Sequence, residues 1–104
     1  MALHHVRAGE KVHLLSAVSG EKTAALVKND RFEAAQLVLR AGESIRRHSV
    51  PGYASIQCLE GSVVLDGKER VEIQAGEWLY LDRGEEHGVS ANEDSVLFLT
   101  IFFD

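Results

Sequence analysis

The sequence predicts an all-β fold, a sandwich or barrel of short strands, from the distribution of its glycines and its apolar segments. Nine glycines and one proline occur in 104 residues. The glycines recur at mostly short intervals, as residues of tight turns do where strands reverse. Most segments between them are apolar, or alternate between apolar and polar residues, over the length of a strand. Short strands between frequent turns are typical of a sandwich or a barrel.

The segments between the glycines give the candidate strands in chain order. They are residues 12–18, 23–27, 56–59, 63–65, 71–73, Trp78–Leu81 and 96–103. Asp66 and Gly67 lie between two of these segments and predict a hairpin, whose loop exceeds two residues if it includes Lys68 and Glu69. The tripeptide Ala-Gly-Glu occurs three times, at residues 8–10, 41–43 and 75–77. A duplicated β unit would explain this recurrence, but a repeated turn sequence is the simpler interpretation.

Residues 31–40 are compatible with either a helix or a strand. Asp30 is a possible N-cap, and Ala34, Ala35 and Leu37 have good helix propensity. The apolar run that leads into Ala41 and Gly42 fits a strand equally well. Periodicity alone leaves both alternatives open.

Composition limits the setting in which the protein works. A chain of 104 residues with 45% hydrophobic and 26% charged residues is long enough for one domain with one core, which we expect to span residues 1–104. The net charge of −5 argues against duplex nucleic acid or an anionic membrane as partner. The single cysteine, Cys58, suits a reducing compartment, and the N-terminal residues lack the apolar core of a signal peptide. We therefore expect a cytoplasmic protein, with Cys58 as a small buried residue.

The C-terminal candidate strand, residues 96–103, is apolar on both of its faces. One face carries Val96, Phe98 and Phe102, and the other carries Leu97, Leu99, Ile101 and Phe103. One face can fill a barrel, while the other needs a cover. We expect a second copy of the chain to provide that cover, which predicts a homodimer. The alternative is that residues 12–18 cover it within one chain.

Two of the five histidines lie in patterned segments. Gly42, His48 and Gly61 match the first motif of the cupin superfamily at its spacing, while its second histidine corresponds to Val50 and its glutamate to Ala54. The sequence therefore resembles the small single-domain bacterial cupins in its first motif.

The second motif lies fourteen residues further on, a short interval that is typical of small cupins. Gly76, Gly84 and His87 match it, whereas Asp82 replaces its proline and Ala91 its asparagine. The resemblance covers about residues 32–103, with further strands expected in residues 1–30. It implies a cupin jelly-roll barrel, also called a double-stranded β-helix, of two antiparallel sheets. It also implies a strand at residues 31–40.

The departures from the two motifs bear on function. The resemblance implies a metal site of three histidines and one glutamate. Only His48 and His87 correspond to that set here. Two imidazoles make a weak metal site, because transition metals usually take three or more protein ligands. The resemblance therefore favours a metal-free pocket. The alternative is a metal-dependent dioxygenase or isomerase that holds Mn, Fe, Ni or Zn with further ligands outside the motifs.

We therefore expect the barrel to bind a small molecule, with anions among the candidates. His48 and His87 would orient it by hydrogen bonds. Arg46 shares strand parity with His48 and is expected at the pocket, where it could pair with a carboxylate or phosphate. Metal-free deoxysugar epimerases of the same superfamily imply a second possibility, a histidine base with Tyr53 or Tyr80 as acid. Alternation does not decide whether the pair Trp78 and Tyr80 or the pair Leu79 and Leu81 faces inward.

Overall fold

The computed structural model describes residues 6–14 and 24–103, and these residues form nine strands in two antiparallel sheets. The strands are β1 (Ala24–Lys28), β2 (Phe32–Leu39), β3 (Ser44–His48), β4 (Ala54–Glu60), β5 (Ser62–Asp66), β6 (Arg70–Gln74), β7 (Trp78–Leu81), β8 (His87–Ala91) and β9 (Ser95–Phe102). One sheet has the order β1-β2-β9-β4-β7 and the other the order β3-β8-β5-β6. The prediction of an all-β fold with two antiparallel sheets is confirmed. Within the described ranges, no helix has the length and apolar character needed to cross a membrane.

Strand register assigns the two faces of the five-stranded sheet. Ile56 on β4 lies opposite Leu79 on β7 and Leu99 on β9, and its side chain is 1% exposed. The next residue of β4 lies opposite Trp78 and Phe98, and Trp78 is 59% exposed. Successive side chains of a strand point to opposite faces, so the leucines face the second sheet and Trp78 faces outward.

The core lies between the two sheets and is mainly aliphatic. Its buried members are Leu39, Ala54, Ile56, Cys58, Val63, Leu65, Ile73, Leu81, Val89, Ala91 and Leu97. Cys58 is 0% exposed, and burial raises the pKa of its thiol. The expectation that Cys58 is a small buried residue is therefore confirmed.

The observed strands test several of the predictions made from the sequence. Within residues 31–40, Phe32–Leu39 form the strand β2, so the helical alternative is wrong. The predicted hairpin joins β5 to β6, with Asp66 paired to Arg70 across a loop of residues 67–69. Of the predicted strand 12–18, residues 12–14 are not in a strand, and residues 15–18 lie outside the described part of the chain.

Each Ala-Gly-Glu tripeptide forms the same turn, which supports the simpler interpretation of their recurrence. In the second, the amide of Glu43 donates to the carbonyl of Arg40, and the Glu43 carboxylate accepts from the Arg40 amide at 2.7 Å. The turns that end at Glu10 and Glu77 have the same pair of hydrogen bonds. The central glycine has a φ of 82–92° in all three, as type II turns require.

Two features of the structure require a glycine at position 61, its backbone conformation and the lack of space for a side chain. Its φ is 87°, and a Cβ there would overlap the hydroxyl of Ser95 and the carbonyl oxygen of Asp94. The Ser95 hydroxyl is already fixed, because it accepts from the Ser62 amide at 3.1 Å and donates to the Glu93 carbonyl at 2.7 Å. This contact ties β9 of one sheet to β5 of the other. Gly76 has a similar φ of 92° but open space around it.

The pair Gly61→Ala and Gly76→Ala separates backbone strain from steric overlap. We expect Gly76→Ala to lower the free energy of unfolding by about 1–2 kcal/mol, the cost of a left-handed backbone for an L-residue. Gly61→Ala should lower it by roughly a further 1–3 kcal/mol, because the backbone near Ser95 must also move. Urea denaturation followed by Trp78 fluorescence measures both losses. Equal losses in the two variants would contradict the role assigned to the Ser95 contact.

Candidate functional site

His48 and His87 lie opposite each other on two neighbouring strands. His48 ends β3, His87 begins β8, and the two residues are register partners. Their ring centroids are 4.4 Å apart, and the ring planes are inclined by 55°. The structure therefore brings together the two histidines that the motifs selected. Neither strand was among the segments predicted from apolar patterning.

A β-bulge between Ile45 and His48 determines which residues of β3 face the interior. Ile45 pairs with Val89 and His48 with His87, so the bulge adds a residue between the two pairs. Without a bulge, residues 45 and 48 would point to opposite faces, but here both line the interior. Arg46 is exposed and is not among the lining residues. Parity counted from His48 fails for Arg46 because the bulge resets the alternation.

Each imidazole is held by the backbone of its own strand or the turn before it. The Nδ1 atom of His48 lies 2.9 Å from the carbonyl oxygen of Arg46, and that of His87 lies 3.1 Å from the carbonyl oxygen of Glu85. A carbonyl oxygen only accepts hydrogen bonds, so each Nδ1 must carry the proton and donate it. In the neutral rings, Nε2 is then a bare acceptor on the opposite edge.

The two rings stand at one side of a cavity between the sheets. Its volume is about 130 Å³. The remaining lining residues are all aliphatic and come from both sheets: Leu37, Ile45, Ala54, Ile56, Val89, Leu99 and Ile101. The side chains of the two histidines are therefore the polar groups of this lining. Sequence reasoning missed Ile45 and Val89, which belong to the two strands that it did not predict.

His87 is the more deeply placed of the two histidines. It is 5% exposed, whereas His48 is exposed at the mouth of the cavity. Burial lowers the pKa of His87 below its ordinary value of 6.5, because the charged imidazolium loses hydration. The nearby His48 lowers it further, while the hydrogen bond to the Glu85 carbonyl acts in the opposite direction. Neutral imidazole is thus the favoured form of His87.

The donor set lacks two of the four ligands of the metal site that the resemblance to cupins implies. Ala54 lines the cavity where the motif has a glutamate, and Val50 packs against the core where the motif has a histidine. Within residues 6–14 and 24–103, no group of three or more His, Cys, Asp or Glu side chains is arranged to hold a metal ion. His4 and His5 lie outside the described residues.

The tyrosines considered as acids lie away from the histidine cavity. Tyr80 is 61% exposed on the outer face of β7, beside Trp78, and Tyr53 is exposed next to it. The rings of Tyr53 and Tyr80 are 6.4 Å apart, and those of Trp78 and Tyr80 are 6.2 Å apart. Neither tyrosine lines the cavity with His48 and His87, so an acid across the barrel from these bases is not formed. Leu79 and Leu81 are the inward pair.

A larger cavity of about 330 Å³ lies beside the β5–β6 hairpin and β7. Its lining combines leucines with charged groups from Lys68, Glu69 and Glu85. It brings no two titratable rings together, and its charged side chains belong to the hairpin loop and the turn after β7. The smaller cavity is the better candidate site because two held imidazoles converge on an apolar space.

Comparison with solved structures shows the same architecture in other proteins. A conserved protein of unknown function from Streptococcus pyogenes matches 100% of this chain and 98% of its own, at 21% sequence identity and a TM-score of 0.80. A cupin superfamily protein from Desulfitobacterium hafniense matches over the whole of both chains, at 16% identity and a TM-score of 0.82. An RmlC-like cupin from Desulfovibrio desulfuricans matches 94% of this chain and 97% of its own, at 20% identity and a TM-score of 0.73.

Sequence comparison adds no function to this structural likeness. No family model matches the sequence, and no curated protein matches it. At 16–21% identity, the three structures share a fold with this chain, and a fold alone does not define an activity.

The lowered pKa of His87 predicts a pH dependence of stability. The unfolded chain binds a proton at His87 more tightly than the folded chain, so the free energy of unfolding should fall as the pH drops below about 6.5. One proton limits this slope to about 1.4 kcal/mol per pH unit. Urea denaturation between pH 7.5 and 5 measures it. In His87→Gln the decline should be smaller, and in His13→Gln, at an exposed residue, it should persist. The same slope in both variants would contradict the assignment to His87.

Proposed function

The chain has the cupin fold, and from this premise we propose that it binds a small molecule in the cavity between its sheets, with His48 and His87 as the polar anchors. One observation carries this proposal: two imidazoles with centroids 4.4 Å apart stand in a lining that is otherwise aliphatic. Small-molecule sites commonly combine apolar walls with a few converging polar groups.

The size of the cavity supports a small ligand. An apolar cavity of about 150 Å³ in another protein holds one benzene molecule. The present cavity, about 130 Å³, is close to that size, and His48 lies exposed at its mouth. A single six-membered ring is therefore about the largest body that the interior accepts without rearrangement, and larger ligands would project past His48.

A metal-dependent enzyme is the second candidate function, and the hydrogen bonds of the two rings favour it. Metal-binding histidines usually donate the second ring N–H to a carbonyl or carboxylate, as both rings do here. His48 and His87 would hold the metal together with further ligands outside the two motifs. This candidate requires one equivalent of Mn, Fe, Ni or Zn in untagged protein, lost in both His48→Ala and His87→Ala. Metal analysis of the three proteins decides it.

Filling the cavity tests the first proposal. Ala54 lines the cavity, and Ser55, the next residue of β4, points to the outer face. Ala54→Leu should weaken the binding of toluene and of phenol by at least about tenfold, because the leucine side chain occupies the space of the ligand. Ser55→Leu is the matched control and should leave binding unchanged. Titrations followed by backbone amide NMR shifts at Val89 and Leu99 measure both variants.

Two outcomes of these titrations would contradict the proposal. Saturating toluene and phenol could leave the amides of the lining residues unshifted in the wild-type chain. Alternatively, Ala54→Leu and Ser55→Leu could bind both probes as the wild type does. Either result would exclude this cavity as a ligand site.

We also propose a homodimer formed through the outer face of the five-stranded sheet. Three exposed aromatic residues, Tyr53, Trp78 and Tyr80, lie in a row of ring contacts on this face, and Phe102 is exposed on β9 of the same sheet. Large aromatic side chains are enriched in interfaces, and a twofold axis would pair the patch with itself. We further propose a cytoplasmic location, because Cys58 is a buried free thiol. The net charge of −5 supports the proposal that neither nucleic acid nor a membrane is a partner.

Two substitutions, each adding a negative charge to a different sheet, test the proposed dimer. Light scattering at micromolar concentration should give twice the chain mass of 11.4 kDa for the wild type. Trp78→Glu should raise the dissociation constant by roughly 30-fold or more, the effect of losing a central aromatic contact. Ser90→Glu adds the same charge to an exposed residue of β8 in the other sheet and should leave the mass unchanged. A monomeric wild type, or equal dissociation in the two variants, would contradict the proposal.

A further inference from the structure

The candidate cavity offers lone pairs to a ligand and no side-chain donor. Both Nδ1 protons of the histidine pair are given to backbone carbonyl oxygens, at 2.9 Å for His48 and 3.1 Å for His87. The other seven lining side chains are aliphatic and contribute neither donors nor acceptors. Nε2 of each neutral ring is therefore the polar atom left for a ligand, and it can only accept.

The two arginines of β3 add neither a hydrogen-bond donor nor a positive charge to the cavity lining. Arg46 is exposed and lies outside the lining, because the bulge gives its place to Ile45. Arg47 is directed to the outer surface of the four-stranded sheet, where its guanidinium lies 3.6 Å from the carboxylate of Asp66. No positive charge among the described lining residues is available to neutralise a buried carboxylate or phosphate.

We infer that the cavity selects neutral ligands that donate a hydrogen bond from an apolar body of about the size of a benzene ring. The inference rests on the proposed function and replaces the broader expectation of a small molecule, anions included. A hydroxyl or neutral N–H group placed between the rings gives its proton to Nε2 of His87 or His48. An anion would bring lone pairs against lone pairs and would lose its hydration without compensation.

Four probes of similar shape separate the alternatives. Phenol has a donor, anisole has an acceptor only, toluene has neither, and benzoate is an acceptor with a negative charge. Titrations are done on protein treated with EDTA, so that a bound metal ion cannot capture phenol, and at pH 8, above the ordinary pKa of imidazole (about 6.5). Phenol should bind at least about fivefold more tightly than anisole, since an unpaired acceptor facing Nε2 forfeits a hydrogen bond. Benzoate should bind more weakly than either.

The imidazole ¹⁵N spectrum reads the interaction directly. Before ligand is added, both rings should show a protonated Nδ1 and a bare Nε2. Saturating phenol should shift an Nε2 signal, while toluene should leave it in place. His87→Leu, which replaces a ring that is 5% exposed with an aliphatic group, should weaken phenol by at least about fivefold and should spare toluene.

The outcomes distinguish this inference from the proposed function. Binding of benzoate as tight as that of phenol, equal binding of phenol and anisole, or a protonated Nε2 in the free protein would overturn the inference and leave the cavity as a ligand site. If His87→Leu does not fold, the comparison of the four probes and the ¹⁵N spectrum of the wild-type protein still decide it. Failure of all four probes to shift the lining residues would overturn the proposed function, and the inference with it.

Discussion

The candidate site depends on the pairing of β3 with β8, which sets His48 opposite His87. Gly88 fits the bulged form of this pairing. A Cβ at Gly88 would lie 3.0 Å from the carbonyl oxygen of Ile45 and 3.3 Å from the backbone nitrogen of Arg47, so any other residue would have to push the bulged backbone away by a few tenths of an ångström. Beyond Gly88, the side chain of Arg47 reaches Asp66 on β5. The bulge thus turns an isoleucine and a histidine inward and sends the intervening arginines to the surface.

Hydrogen bonds to backbone carbonyl oxygens preorganise the two imidazoles for binding. Each ring is oriented by a carbonyl two residues earlier in its own chain segment, so the orientation needs no ligand and no second side chain. Groups held on strands keep a more precise geometry than groups on loops. The aliphatic walls add to this effect, because a hydrogen bond made away from water is electrostatically stronger than one made in it. The same walls make an unpaired polar group on the ligand expensive, and this cost gives the site its selectivity.

Glycine spacing and apolar patterning were sufficient to predict an all-β fold of short strands, and the two-sheet jelly roll followed from the resemblance to cupins. The patterning failed at particular residues for physical reasons. The four motif glycines, at positions 42, 61, 76 and 84, all have positive φ values, so the turn geometry was encoded locally. The strands β3 and β8 were missed because Ser44–His48 has one aliphatic residue and His87–Ala91 contains Gly88, so neither has an apolar run. Arg46 was misplaced because parity cannot register a bulge, although the small residue opposite it, Gly88, is a signal of close backbone approach.

The choice between Trp78 with Tyr80 and Leu79 with Leu81 shows what only tertiary register decides. Both sets are apolar, so alternation fits either orientation, and the pairing of Leu79 with Ile56 settles it. Aliphatic side chains then fill the interior, and the aromatic rings lie outside. A slip of β7 by one residue would exchange the two sets and bring indole and phenol rings against the core. The register of β7 on β4 therefore keeps the interior aliphatic around the histidines, and it keeps a continuous aromatic surface on the opposite face of the same sheet.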